Sequence, residues 1–449
     1  MMAAASTVPQ QCEPPPAAPG SRAEIFAWTM YDWANSAYST LLITVVLHYV
    51  QKVVAPDEAT GAVLFPACIS VSMLIAAALS PIVGAMADAN RSKRRWLAGT
   101  ALPGAAAAVL MAAAPSDATW LILPLFVVMS TLFDLALVPY NGFLPEITDE
   151  RTINRVSTWG FAMGYLGGSL PLLLVALVVG HSEDIGLSDA AMDRAGILLL
   201  GLWWGLFSLP SILVLRDRGG PPARREPLNR AAGIAVRQVC RTLKNLRSFP
   251  VLLLFLLAYL FYNDGIATVV TQANTLAGKD FHYTLAEMCW LTLWIQWIAL
   301  PASLIVGWLA DHLGRKPTLL ACLAVWIVLP VIVMFIESKE HLLYLAVVLA
   351  LVMGGTQAVS RAIMGSITPP RHAAEFFGFF NLSGKAASFL GPALFALVAG
   401  LSGGQTKLAA LSIVVFFLLG AGLFSRVDVK AGRRQALDAD SPTPDAPTH

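Results

Sequence analysis

Charge is what this chain has least of. Only 13% of its 449 residues are Asp, Glu, Lys or Arg, where soluble globular domains carry about 25%. The chain also lacks Gly-x-x-x-x-Gly-Lys-Ser/Thr, the loop that cradles nucleotide phosphates, which argues against ATP-driven work. It has no His-Glu-x-x-His and no Gly-x-Ser-x-Gly, so neither a zinc nor a serine hydrolase is indicated, and no enzyme activity is expected. Its histidines (His48, His181, His282, His312, His341, His372 and His449) are dispersed and mostly near loops. The five cysteines, Cys12, Cys68, Cys240, Cys289 and Cys322, form no Cys-x-x-Cys pair. An odd, scattered set excludes a disulfide framework and a zinc site, so no metal and no cofactor are expected.

What the chain has in quantity is apolar sequence: 57% hydrophobic residues and a mean hydropathy of +0.66. It comes in blocks of about 20 residues, each long enough to cross a bilayer as a helix. Twelve candidate spans fall near 25–50, 62–87, 96–114, 119–142, 157–180, 195–215, 250–272, 286–309, 317–336, 342–364, 376–399 and 407–425. The predicted fold is an all-α membrane protein. The longest polar interval, 216–249, divides the spans six and six. The expected organisation is a disordered tail over 1–23, a bundle over 24–215, a basic linker over 216–249, a second bundle over 250–425 and a tail over 426–449. The Ala- and Pro-rich start lacks the basic and apolar regions of a cleaved signal and reads as disordered.

Basic residues segregate to one side. The central linker, Arg91 to Arg95, Arg151, Arg155, Arg315-Lys316, Arg371 and Arg426, Lys430, Arg433 and Arg434 share it. The other side has only Lys52, Arg194, Lys279, Lys339 and Lys407. The asymmetry puts both termini and the linker in the cytoplasm. A basic linker without interleaved aromatics suits anionic lipid and not nucleic acid. Within it, Ala231 to Arg247 predicts a short interfacial helix, with Val236, Val239, Leu243 and Leu246 on one face and Arg237, Arg241 and Lys244 on the other.

Polar residues interrupt the spans at matching places. Tyr31-Asp32-Trp33-Ala34-Asn35-Ser36-Ala37-Tyr38 in span 1 looks like a copy of Phe261-Tyr262-Asn263-Asp264-Gly265 in span 7. A carboxylate in hydrocarbon is costly unless partnered or wet, so such residues usually line a pathway. Recurrence in both halves points to a two-fold transporter with a central polar site. Asp32, Asn35, Ser36 and Ser39 share one helix face, as do Asp264, Thr268 and Thr271. Asp134 lies in span 4, Gln357 and Arg361 in span 10, and Asn381, Lys385 and Ser388 in span 11.

Two readings of these charges stand side by side. They form a structural ion-pair network, or they form a site for a zwitterion in which a cation, Lys385 first, takes a carboxylate and Asp32 takes an ammonium. Asp32, Asp264 and Asp134 are the candidate proton carriers. Trp290, Trp294 and Trp297 make one stripe, read as helix packing or an interfacial belt, with an aromatic wall as the sharper alternative. Trp33 and Trp159 have the same two readings. Gly164, Gly167, Gly168 and Pro171 in span 5 and Gly384, Gly391 and Pro392 in span 11 permit close contact and bending.

Two loops carry Gly-x-x-x-Asp followed by basic residues: Gly84 to Asp88 with Arg91 to Arg95, and Gly307 to Asp311 with Arg315-Lys316. The aspartate of such a loop can accept hydrogen bonds from a helix N-terminus across the gap. On these loops the chain resembles the major facilitator superfamily, although Ser92 stands where the pattern prefers glycine. The resemblance implies two pseudo-symmetric six-helix bundles and gating roles for Gly84, Asp88, Arg91, Gly307, Asp311, Arg315 and Lys316. A closer resemblance rests on Tyr31 to Tyr38, Tyr140-Asn141-Gly142-Phe143-Leu144-Pro145-Glu146-Ile147, Gly164 to Gly168, Gly354 to Arg361, Glu375 to Phe380 and Gly391-Pro392. These look like the unknown major facilitator family, a group that includes the autophagy-related amino-acid effluxer of the fungal vacuole.

The expected function is secondary transport of a small organic solute, an amino acid first, with proton coupling. A sugar, peptide fragment or amphipathic drug is the alternative cargo, and a receptor-like member that moves nothing is the alternative class. The expected substrate ligands are Asp32, Asn35, Tyr38, Asn263, Asp264, Gln357, Arg361, Asn381 and Lys385. The expected partners are the substrate and the lipid bilayer, for a monomer in a bacterial inner membrane.

Overall fold

The computed structural model describes residues 20–180, 188–218, 233–234, 236–237, 239–240, 242, 249–281, 283, 285–386 and 390–440. Twelve helices among them are long and apolar enough to cross a membrane. They are α1 (Arg22–Val54), α2 (Val63–Ala89), α3 (Lys93–Ala113), α4 (Thr119–Ile147), α5 (Ile153–Val178), α6 (Asp189–Val214), α7 (Pro250–Ala273), α8 (Glu287–Leu313), α9 (Arg315–Val333), α10 (Lys339–Ser366), α11 (Pro370–Leu401) and α12 (Thr406–Ser425). A thirteenth helix, α13, spans Val429–Asp440.

The first helix starts three residues earlier than the expected span because Ser21 and Glu24 close a capping box. Glu24 N–H donates to Ser21 Oγ (3.2 Å) and Ser21 N–H to Glu24 Oε2 (2.9 Å), so two orphan donors of the helix start are satisfied. Residues 1–19, the rest of the expected tail, lie outside the described residues. Beyond Leu41, α1 widens into five-residue turns over Leu42–Val46 and Tyr49–Val54. That stretch is rich in β-branched residues, which crowd a regular α-helix.

Among the described residues, two large apolar cores form beside two small clusters. One gathers Trp28, Tyr31, Phe126, Tyr140 and Trp204 from the first six helices, joined by Leu293. The other gathers Phe255, Tyr262, Trp326, Phe377 and Phe417 from the last six. Large apolar side chains such as Leu74, Leu110, Trp120, Leu213 and Phe335 face outward, as a bilayer solvent permits and water would not. The two halves meet most closely on the face that carries the basic loops. There α2 lies on α11: a Cβ on Gly84 would stand 2.2 Å from Ala374 O, and one on Gly378 2.5 Å from Ser80 O.

The expected tail after residue 426 is instead the start of α13. Asp428 Oδ1 accepts from Lys430 N–H and Ala431 N–H, both at 3.0 Å, and these donors hold its carboxyl below the usual range. Val427 and Ala436 are buried, and Gly432 lies against Val251 and Ile367. The short chain of apolar and small residues one turn apart gives α13 a face to dock, which a charge count alone hides. In the linker, the described residues between 233 and 242 are helical. Val239 packs beside Ala85 and Met86, while Val236 and Arg237 are exposed. Arg241, Leu243, Lys244 and Leu246 lie outside the described residues.

Candidate functional site: a charged cavity between the halves

A cavity of about 650 Å³ lies between the two bundles. Its polar lining comes from both: Asp32, Asn35, Ser36, Ser39, Asp134 and Asn141 from the first half, and Asn263, Gln357, Arg361, Asn381 and Lys385 from the second. The cavity runs on to Ala273, Leu291 and Leu342, near the ends of α7, α8 and α10 that lie away from the basic loops. The structure is therefore closed on the basic face, with the cavity extending toward the other.

Two ion pairs cross the interface in the cavity lining. Arg361 on α10 grips Asp32 on α1 with two parallel bonds, Nη1 to Oδ1 at 3.2 Å and Nη2 to Oδ2 at 2.9 Å. Its Nε donates to Ser157 Oγ (3.0 Å) and its Nη2 to Ser157 O (2.7 Å), both on α5. Its guanidinium carbon lies 4.3 Å from the Phe161 ring centre, 4.7 Å from that of Trp28 and 5.8 Å from that of Tyr140. Trp28 Nε1–H in turn donates to Tyr140 O (2.9 Å), which fixes the indole. A bidentate, ring-sandwiched pair of this kind is among the stronger charge contacts available to a guanidinium.

The second pair is looser. Lys385 Nζ on α11 lies 3.0 Å from Asp134 Oδ1 on α4. That oxygen receives no aligned hydrogen bond among the described residues, so the contact is one of charge. The Lys385 side chain keeps 23% of its surface exposed to the cavity, against 6% for Arg361.

These pairings correct the expectation that Asp32 and Lys385 face one substrate together. Each already has its own partner, because α5 delivers the Arg361 socket to Asp32 while α4 stands opposite Lys385. Asn381 Nδ2 donates to Ser80 Oγ (2.8 Å) and to Asp134 O (3.2 Å), and Gln357 Nε2 to Asn263 Oδ1 (3.1 Å). The buried Asn35 Nδ2 has no hydrogen-bond partner among the described residues.

Two expected ligands do not line the cavity. Tyr38 stacks on Phe133 (3.9 Å between ring centres) beside Trp204, inside the first core. Asp264 is fully buried inside the second half, where its Oδ2 accepts from Gly391 N–H at 2.7 Å. Thr268 Oγ1–H donates to the Asp264 carbonyl (2.7 Å), and Thr271 does line the cavity. Ser388 lies outside the described residues. The tryptophan stripe is not a cavity wall: Trp290 and Trp294 are exposed on the outer surface, and Trp294 meets Trp297 edge-on at 5.4 Å. Trp33 stacks on Trp203, and Trp159 is half exposed.

Below the floor, the basic face is closed by two unlike clusters. In the first, Asp88 Oδ2 accepts from Glu375 N–H (2.8 Å) in the first turn of the helix Ala373–Ala386. Lys93 Nζ lies 2.8 Å from Asp88 Oδ1 and 2.6 Å from Glu146 Oε1, nearly all of it buried. Thr242 of the linker donates to Glu375 Oε1 at 2.6 Å. In the second, Asn154 Nδ2 donates to Gly307 O and to Asp311 Oδ1, both at 2.9 Å. Arg315 donates to the Glu150 carbonyl, Arg433 of α13 pairs with the Glu150 carboxylate, and the charge of Lys316 acts on Asp428.

Arg91, one of the expected gate residues, sits in an exposed turn with φ 44°, where its backbone N–H donates to the Asp88 carbonyl (3.0 Å). A positive side chain of the cluster that reaches the Asp88 carboxylate is Lys93, at the start of α3, where the helix aims its side chain back under α2. Lys93, Glu146, Asn154, Glu150 and Glu375 were not singled out as gate residues. Lys93 falls in the gate loop itself and Glu146 and Glu375 in the other quoted motifs, whereas Glu150 and Asn154 fall in none of them.

Comparison with known proteins agrees with this architecture. The family model "Vacuole effluxer Atg22 like" matches residues 50–437. The uncharacterised MFS-type transporter YxiO of Bacillus subtilis is 34% identical over 404 residues, covering 88% of this chain and 92% of that protein. Autophagy-related protein 22-1 of Neosartorya fischeri is 28% identical over 309 residues, 63% of this chain and 49% of that protein, so the match spans about half of the fungal relative. Among solved structures, the human organic anion transporter MFSD10 superposes with a TM-score of 0.67 at 15% identity, over 90% of this chain and 99% of that one. The major facilitator transporter FucP in its outward conformation gives 0.66 at 13% identity, over 91% and 100%. The structures establish the shared fold and the sequence matches the kinship: the chain is a multi-pass membrane transporter of the major facilitator superfamily and belongs to its Atg22-like family.

Proposed function

We propose that the protein moves amino acids across the membrane by alternating access, with proton coupling. One observation carries the substrate reading: the Asp134–Lys385 pair stands in the cavity wall, with Lys385 the more open of the two, and no aligned hydrogen bond reaches Asp134 Oδ1 among the described residues. Breaking a shielded ion pair normally strands two charges. A zwitterion avoids that penalty, because its carboxylate replaces Asp134 at Lys385 while its ammonium replaces Lys385 at Asp134. Asn35, Asn263, Gln357 and Asn381 offer polar contacts around that point, and Leu345, Leu349 and Met353 an apolar wall. Asp32 and Arg361 form the floor beneath it.

For the proton, Asp264 is the choice among Asp32, Asp134 and Asp264. It has no cationic partner among the described residues, so gaining or losing a proton there breaks no ion pair. The basic face is assigned to the cytoplasm, with both termini, in a bacterial inner membrane.

The test is uptake and counterflow into proteoliposomes with labelled amino acids, sugars and nucleosides at two external pH values. The expected result is saturable amino-acid exchange, faster with an inward proton gradient, and weakened through KM by Lys385→Ala. Transport of sugars or nucleosides in place of amino acids overturns the substrate reading, and flux indifferent to the gradient overturns the coupling.

A further inference from the structure

Arg361 is carried by one half of the molecule and held by the other. Trp28 and Asp32 on α1, Tyr140 on α4 and Ser157, Gly160 and Phe161 on α5 surround its guanidinium, and all six belong to the first half. The slot is cut to that shape. A Cβ on Gly160 would stand 2.2 Å from Asp32 Oδ2 and 2.7 Å from Arg361 Nη2, so a bare backbone is needed on that side.

Opening the basic face separates the halves there and must draw Arg361 out of this socket. The withdrawal leaves Asp32, 7% exposed, ringed by aromatic faces and without its countercharge. An uncompensated carboxylate in that setting is strongly disfavoured. Aromatic faces attract a weakly hydrated, delocalised cation, and the carboxylate accepts its N–H bonds.

We propose that the socket is a cation-binding site, filled by Arg361 while the basic face is closed and by a small organic guanidinium or ammonium group when that face opens. The inference rests on the alternating-access reading for the opening movement. The chemistry of the socket is testable without any transport, so its failure is distinguishable from failure of the amino-acid assignment.

Arg361→Ala empties the socket in every state, and ethylguanidinium is the probe. In detergent, millimolar ethylguanidinium is expected to raise the unfolding temperature of Arg361→Ala by several degrees and to leave the Asp32→Asn/Arg361→Ala double variant unmoved. Absence of that shift, an equal shift in the double variant, or an equal shift produced by sodium or by acidification alone overturns the proposal. A second measurement does not depend on the Arg361 variant folding. With native cysteines replaced by serine, Thr158→Cys, at a position buried against Gly307 on the closed face, is labelled by a thiol reagent. Ethylguanidinium is expected to speed that labelling several-fold in the Arg361 parent and not with Asp32→Asn. An unchanged rate overturns the proposal.

Discussion

Asp32 and Asp264 stand in similar local sequences of the two halves, each within two residues of a buried tyrosine in a span that should be apolar, and they are held in different ways. Asp32 reaches across the interface and binds a guanidinium from the other half. Asp264 stays within its own half and accepts a backbone N–H from Gly391 on α11. One carboxylate ties the two halves together in this closed arrangement. The other ties α7 to α11 within one half. Which role a buried acid takes is decided by where its partner is anchored, not by the acid or by its sequence surroundings.

The largest expected effect breaks the tie between the halves. Arg361→Ala strands Asp32 in a dry socket, and removing one partner of a buried pair costs about 3–5 kcal/mol. Thermal unfolding in detergent should fall accordingly and uptake should be lost. Asp32→Asn with Arg361→Gln removes both charges at once and is expected to recover most of the stability but not the transport. If Asp264→Asn proves as damaging as Arg361→Ala, the distinction between the two aspartates is wrong.

Next in size is a pair of single methyl groups. Gly160→Ala drives a carbon into the Asp32–Arg361 contact, 2.2 Å from one oxygen, whereas Gly391→Ala places one 2.0 Å from Thr268 Oγ1 and 3.1 Å from Asp264 Oδ2. Overpacking of either site costs about 1–3 kcal/mol. The difference lies in what loosens. Gly160→Ala should expose the basic face to thiol reagents and change the outward-to-inward balance, and Gly391→Ala should lower stability with that balance unchanged. Equal labelling of the basic face in both variants would erase the comparison.

A smaller change sharpens it. Asp264→Asn keeps an oxygen for Gly391 N–H, so stability should move by about 1 kcal/mol, the net worth of one hydrogen bond. The same substitution removes a titrating group. Gradient-driven uptake should lose its pH dependence while exchange of labelled for unlabelled substrate persists. Uptake that keeps its response to pH in Asp264→Asn excludes this residue as the proton carrier.

How much of this was legible in the chain depends on whether the signal was local. Span number and class were, since an apolar run long enough to cross a bilayer announces itself, and so was the polar face of Asp32, Asn35, Ser36 and Ser39, which one helix turn dictates. Pairing was not. Whether Asp32 meets Arg361 or Lys385 depends on how α5 stands between α1 and α10, and no spacing within one helix encodes that. Tyr38 shares the helix with the lining residues but points into the core, where Phe133 and Trp204 hold it. Lys93, not singled out within the Arg91 to Arg95 cluster, pairs with Asp88 for a similar reason. Five residues of that loop are basic or polar, and only the turn at Arg91 and the start of α3 select the one that faces Asp88. The α13 helix was missed because its docking face is made of Val429, Gly432 and Ala436 among charges, too small a set to register as a hydrophobic stripe.

The smallest expected effect lies at the rim of the same closed face, and it separates a gate from a decoration. Glu150 pairs with Arg433 of α13, but the two side chains keep 55% and 31% of their surface exposed, so solvent and salt screen the attraction. Exposed pairs of this kind contribute about 0.2–1 kcal/mol. Glu150→Gln leaves its backbone carbonyl in place for Arg315, and it should shift stability by no more than that and leave uptake unchanged. Lys93→Met, by contrast, takes the positive charge from between two buried carboxylates whose partner is only 5% exposed, and it should favour opening of the basic face. Measuring both by thiol labelling at low and high salt ranks the clusters. A salt-sensitive rise in labelling for Glu150→Gln that matches Lys93→Met would move α13 from the periphery into the gate, because an exposed pair can have that much influence only if the helix carrying it moves with the halves.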